Sequence, residues 1–432
     1  MRWTSPIAIS AAALCWATAT GAKTDCPSHL QVQVPRNSTM DEVHSILSSC
    51  SSIQSLSLQV AQLGCVGHPE RWSLPLDPSG RSRYLSRPDK LSLGGYRFQD
   101  LDLDYIRPPG SSVGRYVNPW MVSGKAWAWL RWQFLSPLQR STINIDLWLG
   151  AMDFSFIREL TILHYHGDPE VLVSRLPARL PRLQSLTVGG PGLHQLVLAM
   201  QDNPLEHLSL LDPGPSHNLA AILDAHGKTL KSLQWHNLEG LSARRPVISE
   251  FELQRLHATA PNLQSLTLDL NRHDEDWPWE SLKALRQGLP QSLEHLTIYF
   301  EMASECRRQK RDDYYHNCGE PCMPAEQYAQ PLLTAEAAQA MSRFLMRDAP
   351  STLSHISFFA GYPEDYESLN GNEANWLFGK WAALECGIAD GEVDCTGVDA
   401  VISEDEKNWH KRFCSKSQES QKVDRGYPHK EL

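Results

Sequence analysis

The sequence predicts an α/β solenoid: a curved parallel sheet with helices on its convex side, a Trp-rich N-terminal insertion and a disulfide-tied C-terminal cap. Three observations carry that prediction. A short phrase of the form LxxLxL keeps returning, apolar residues at helical spacing fill the intervals, and the cysteines avoid the region where the phrase recurs.

The phrase reads FIRELTIL from Phe156, RLQSLTVG from Arg182, PLEHLSLL from Pro204, TLKSLQWH from Thr229, NLQSLTLD from Asn262, SLEHLTIY from Ser292 and TLSHISFF from Thr352. An earlier copy, SIQSLSLQ, starts at Ser52. The anchors Leu160, Leu186, Leu208, Leu233, Leu266 and Leu296 follow one another at steps of 26, 22, 25, 33 and 30 residues, the leucine-rich-repeat interval. Alternate side chains of a strand face opposite ways, so the last two leucines of each copy point inward while their neighbours face out. A lone strand cannot bury that row. Stacked in parallel it can, provided a return segment covers the other side.

The return segments are DPEVLVSRL after Gly167, GLHQLVLAM from Gly192, HNLAAILDA from His217, SEFELQRLHA from Ser249, WESLKALRQ from Trp279 and TAEAAQAMSRFLM from Thr334. Apolar residues recur in them every three or four positions. Several open on Asp, Ser or Thr as an N-cap, and Gly or Pro follows several of them.

On these residues, the stretch from about 150 to 360 resembles the leucine-rich repeats of ribonuclease-inhibitor-like and F-box-associated proteins, which implies binding on the concave side. The asparagine usual three residues after the third leucine is mostly absent, repeat lengths vary, and no F-box-like region precedes the array. The stretches KLSLGGYRF, PWMVSGKAWAWLRW and INIDLWLGAMDFS resemble uncharacterised secreted proteins of filamentous fungi. That likeness implies a fungal origin and no particular activity.

At the start, Arg2 and the small, apolar run from Pro6 to Ala19 have the form of a secretory signal peptide, too short to span a bilayer, with cleavage expected after Ala22 or alternatively Ala19. No later stretch approaches a membrane span, and the tail is polar, against a GPI signal. The expected location is extracellular. The last residues, HKEL, resemble an endoplasmic-reticulum retention signal in which Lys430 replaces the acidic residue, so residence in that lumen is the alternative. The net charge of −10 and the lack of a large basic block argue against nucleic acid as a partner.

Beyond Cys15, nine cysteines remain: Cys26, Cys50, Cys65, Cys306, Cys318, Cys322, Cys386, Cys395 and Cys414. In an oxidising compartment they should staple the ends and an insertion. Cys306, Cys318 and Cys322 also have a zinc-ligand pattern, though exported thiols tend to oxidise. The expected organisation is a signal peptide over 1–22, an N-terminal cap with early repeats and the Trp-rich insertion over 23–149, and repeats over 150–300. A Cys-rich basic insertion follows over 301–332, a last repeat over 333–360, and a cap with a polar tail over 361–432.

In this register three columns of side chains face out of the concave sheet. The first holds Glu159, Ser185, His207, Ser232, Ser265, His295 and His355. The second is nearly all hydroxyl, from Thr161 through Thr297 to Ser357, which suits cross-strand pairing as well as ligand binding. The third holds Leu163, Gly189, Leu211, His236, Asp269, Tyr299 and Phe359. Exposed aromatic residues are enriched at binding hot spots, and histidine changes charge in acidic surroundings. His207, His236, Asp269, His295, Tyr299, His355 and Phe359 are therefore the expected partner-binding set.

Outside the array, Trp120, Trp127, Trp129, Trp132 and Trp148 crowd the N-terminal insertion, as a structural cap over the open sheet end or as an aromatic sugar or membrane-surface site. Asn37 heads an NxS/T sequon for glycosylation, and Lys310 with Arg311 forms a dibasic pair open to proteolytic processing.

Catalytic motifs fail on context. Ser112 in Gly110-Ser-Ser-Val-Gly114 sits between prolines and not between a strand and a helix. Asp100, Asp102 and Asp104 begin like a calcium loop, but Tyr105 and Ser111 stand at its glycine and glutamate positions. His164 and His166 lack a third metal ligand. The expected function is thus non-enzymatic recognition of a protein or glycan partner, without a cofactor, by a fungal effector or virulence-associated factor. The alternative is a secreted enzyme whose site assembles only in three dimensions.

Overall fold

The structure is a computed structural model describing residues 26–34, 40–60, 74, 76, 82–96, 98, 143–165, 167–190, 192–214, 219–240, 244–273, 275–309, 324–347, 352–361, 380–389 and 392–400. Twelve strands form one sheet in strict chain order. They are β1 (His29–Val34), β2 (Ser55–Val60), β3 (Lys90–Gly94), β4 (Glu159–Leu163), β5 (Ser185–Gly189), β6 (His207–Leu211), β7 (Ser232–His236), β8 (Ser265–Leu270), β9 (His295–Phe300), β10 (His355–Gly361), β11 (Trp381–Ala389) and β12 (Glu392–Val398). The first ten pair in parallel, and β11 and β12 add antiparallel at the end.

Helices separate most of the parallel strands: α1 (Asp41–Ser49), α2 (Asn144–Ala151), α3 (Pro169–Val173), α4 (His194–Ala199), α5 (Leu219–His226), α6 (Glu250–Thr259), α7 (Trp279–Gly288), α8 (Glu305–Gln309) and α9 (Ala335–Met346). All six segments expected to be helical are so. Asp168, Ser249 and Thr334 cap α3, α6 and α9, accepting from the backbone N–H of Glu170, Glu252 and Ala337, and Glu252 returns the bond to Ser249.

The inward pairs behave as the phrase requires. Leu160 with Ile162, Leu186 with Val188, Leu208 with Leu210, Leu233 with Trp235, Leu266 with Leu268, Leu296 with Ile298 and Ile356 with Phe358 are all buried, and the helices pack on them in one core. Each such side chain contributes roughly 1.5–3 kcal/mol by leaving water. The first residue of the phrase adds a polar stitch between turns. Thr229, Ser292 and Thr352 donate their hydroxyls to the carbonyls of Leu205, Leu263 and Leu293, each at 2.8 Å, and Asn262 donates its amide to Lys228 O at 2.7 Å. Neighbouring helices approach closely: a Cβ at Gly288, which ends α7, would overlap the Leu253 carbonyl of α6.

The sheet starts earlier than the recurring phrase implies. In β1 the inward positions are Leu30 and Val32 without a preceding leucine, and β3 offers only KLSLG, so neither matches the full phrase. Between β3 and β4, Trp148 of α2 is completely buried, donating from Nε1 to Tyr96 Oη at 2.6 Å and meeting Tyr96, Phe98 and Phe154 edge-on or at a tilt. Trp148 is therefore core between two internal strands and not part of a cover on the sheet's end. Trp120, Trp127, Trp129 and Trp132 lie outside the described residues.

Disulfides tie both ends. Cys26 pairs with Cys50 at the start of β1 and the end of α1, and Cys386 pairs with Cys395 directly across the β11–β12 hairpin. Cys306 is disulfide-bonded to a partner outside the described residues, so it is oxidised and not a zinc thiolate. The signal segment, Asn37, Lys310, Arg311, Ser112, Asp100, Asp102, Asp104, Cys65, Cys318, Cys322, Cys414 and the HKEL terminus also lie outside them. No helix among the described residues is long and apolar enough to cross a membrane.

Candidate functional site

Strand pairing puts the outward columns in register. His295 lies between Ser265 and His355, and Tyr299 between Asp269 and Phe359. The first column stays open to solvent at His207 and His295, while His355 is half-buried. The His295 and His355 rings are 6.1 Å apart, and His355 Nε2 lies 3.8 Å from Glu385 Oε2 on β11. In the third column Tyr299 stacks on Phe359 with centroids 5.1 Å apart and planes 21° apart, and on its other side meets the His236 ring at 4.2 Å.

Two residues expected in the open face are not open. Asp269 has no exposed surface and His236 is 3% exposed. The cause is residues 237–240 and 244–249, which follow β7 and contact residues at the C-terminal ends of β6, β8 and β9. Asp269 accepts from the Asn237 N–H at 2.6 Å, contacts His236 Nδ1 at 2.7 Å and pairs with Arg245 Nη1 at 3.2 Å. Arg245 reaches on to Tyr299 O at 2.6 Å. His236 thus packs against Tyr299, Asp269 holds His236 and Arg245 in place, and both are buried away from the open face.

The same segment is anchored further along. The Glu239 carboxylate accepts from the backbone N–H groups of Met302 (2.8 Å) and Ala303 (2.6 Å), which follow β9, two strands further on. Arg244 pairs with Glu301 at 2.8 Å, and Glu301 also accepts from the Arg272 N–H at 2.8 Å. Arg272 packs its guanidinium over Trp277 at 4.7 Å. Burial pushes the Glu239 carboxyl up, with the neighbouring Arg245 charge and two N–H donors opposing it. Burial likewise brings the Arg272 guanidinium down to about 10 against the pull of Glu301. At Asp212, which adopts φ 54° and accepts from Leu238 N–H at 2.6 Å, burial raises the carboxyl. The Tyr299 hydroxyl is raised by burial and by the Asp269 charge.

These anchors escaped motif reading, although the repeat steps carry a signal for them. The longest step, 33 residues from Leu233 to Leu266, is the one that holds the bridging segment, and the next longest, 30, holds Arg272 and Trp277. Glu385 escaped because it stands on a strand without the phrase. Among the described residues no three His, Cys, Asp or Glu side chains converge as metal ligands, and His164 lies in a left-handed turn after β4.

What the face offers is contact area. An aromatic stack sits on a rigid, polar-supported base, edged by two solvent-accessible histidines and a row of hydroxyls. The pair of His236 and Asp269 is buried and braces the third column. In sequence, the chain matches no protein-family model and no curated protein.

Proposed function

We propose that the chain is a secreted leucine-rich-repeat solenoid that binds a protein or glycan partner on its concave face, without catalysis. The observation that carries this reading is the Tyr299–Phe359 stack, presented on the open side of ten parallel strands and braced by buried ionic contacts beneath it. Aromatic side chains with few rotatable bonds give large contact area at low entropic cost, and a fixed base reduces that cost further. His295, His355 and Glu385 form a polar rim beside the stack, which favours a partner with hydrogen-bonding groups around an apolar centre. The recurrence of LxxLxL at 22–33 residues and the in-register parallel pairing support the repeat class. The leader-like first residues and the disulfides support export, and an effector or virulence-associated role is the biological setting we propose for an exported binding protein.

The test is direct binding. Immobilised native protein is screened against a glycan array and against fractionated extracellular proteins, in parallel with Tyr299→Ala, Phe359→Ala and, as a helix-side control, Phe251→Ala. Retention of one partner by the native and Phe251→Ala chains, with loss by the two face variants, supports the reading. Equal retention by all four chains places the binding elsewhere and overturns the assignment of the face.

A further inference from the structure

A second feature stands apart from the open face and does not rest on the recognition reading. A cavity of about 440 Å³ opens where the chain enters β3, β4 and β5, within the size range of small-molecule sites. Its wall is built from three separate stretches: residues 83–87, residues 149–155 and residues 178–181. Arg83, Arg87 and Arg179 line it, against a single acidic side chain, Asp153. None of the three arginines forms an ion pair among the described residues, in a protein whose net charge is −10.

Guanidinium groups without an ion pair among the described residues, gathered in a concavity of an acidic protein, form a local positive field, and the planar fork of arginine matches the oxygens of phosphate and sulfate. Two of the walls are held in place. Arg87 lies over the Phe156 ring at 5.1 Å, and the Tyr84 N–H donates to Ala151 O at 2.8 Å. That second bond engages a carbonyl at the C-terminal end of α2, whose partial negative charge would otherwise oppose an anion. Asp153 is already committed: it accepts from Ser155 N–H at 3.1 Å, and Ser155 with the nearby Arg87 charge holds its carboxyl below the ordinary range. Leu149 and Phe154 supply apolar wall between the charges.

We infer that this cavity binds a small organic ligand carrying a tetrahedral oxyanion, a phosphate or sulfate ester of about monosaccharide size, through Arg83, Arg87 and Arg179. The cleft is half open and its three arginines stand exposed at its walls, and a volume of this size suits a single small molecule more than a length of polymer. The two sources of such an oxyanion are separable by the probes used.

The experiment is calorimetric titration of the full chain with glucose 6-phosphate, glucose 6-sulfate and glucose, followed by Arg83→Gln, Arg87→Gln, Arg179→Gln and Asp153→Asn. Saturable binding of one or both esters, tighter than glucose by about tenfold or more, is expected. Each arginine variant should lose about tenfold or more, the loss expected of one charge-assisted hydrogen bond. Asp153→Asn, which keeps an acceptor for Ser155, should bind more tightly. Unchanged thermal unfolding of each variant separates lost binding from lost fold, and the second and third arginine variants serve where one fails to fold. No saturable binding of either ester overturns the inference, as does full affinity in all three arginine variants. Tighter binding of glucose than of its esters also overturns it.

Discussion

Asp269 and His236 touch across one strand interval, Oδ1 to Nδ1 at 2.7 Å, with neither side chain open to solvent. The carboxylate is shared with Arg245, whose side chain is 2% exposed, and with the Asn237 N–H. Removing one member of a buried charged set leaves its partners desolvated and uncompensated. Asp269→Ala should therefore destabilise the protein by about 3–5 kcal/mol, read as a lower denaturant midpoint at unchanged slope. Asp269→Asn keeps one acceptor and should cost less. A loss below about 1 kcal/mol for Asp269→Ala would show that the set relaxes or admits water.

Asp212 makes a prediction about pH. Burial raises its carboxyl, with the Leu238 N–H and His236 opposing and Asp269 adding to the rise. An acid whose folded value lies above its unfolded value contributes its stability fully at pH below the unfolded value and loses it as pH rises through the folded one. Ionised Asp212 thus weakens the fold at neutral pH relative to acid. Asp212→Asn, which tolerates the left-handed backbone and still accepts from Leu238, removes that dependence. Its unfolding free energy should exceed that of the native chain at neutral pH, and the gap should close as pH falls from the raised folded value to the ordinary aspartate value. A gap that widens toward acid would reverse the sign of the shift.

These two residues also mark how far the sequence can be read. The inward pairs, the six helices and the register of the columns were legible because each depends on neighbours three or four residues away, or on the same phrase one repeat along. Burial of His236 and Asp269 was not, since it depends on Glu239 meeting Met302, a sequence separation of 63 that no local pattern encodes. The arginine-lined cavity was illegible for the same reason. Its lining comes from three stretches far apart in the chain, 83–87, 149–155 and 178–181, none of which carries the phrase. At the bridging segment the long 33-residue step was the sign.

Helix packing yields a contrasting pair of substitutions. Gly288 ends α7 where an added Cβ would overlap the Leu253 carbonyl, and backbone cannot give way as a side-chain tip can. Gly288→Ala should cost about 1–3 kcal/mol or more. Gly150, inside α2, has nothing within 4 Å of such a Cβ. Gly150→Ala should stabilise by about 0.4–1 kcal/mol, because it restricts the unfolded chain without strain. Urea unfolding of the two variants side by side checks both signs, and destabilisation at Gly150 would contradict the open space around it.

The two disulfides allow chain entropy to be weighed against packing. Cys26–Cys50 closes a sequence separation of 24 and Cys386–Cys395 one of 9. On loop-closure entropy alone their contributions are about 3.5 and 2.6 kcal/mol, a difference of about 0.9 kcal/mol in favour of the longer loop. Packing works the other way: Cys386 is completely buried and its strand is bonded on both sides, to β10 and to β12, whereas Cys50 ends a helix near the sheet's first edge. Paired Cys→Ala variants avoid burying a hydroxyl. If chain entropy governs, loss of Cys26–Cys50 is the costlier change in equilibrium unfolding. If loss of Cys386–Cys395 costs more, the hairpin's contribution lies in covering the open edge of β10, and hydrogen exchange should then show β10 opening before β9 in that variant.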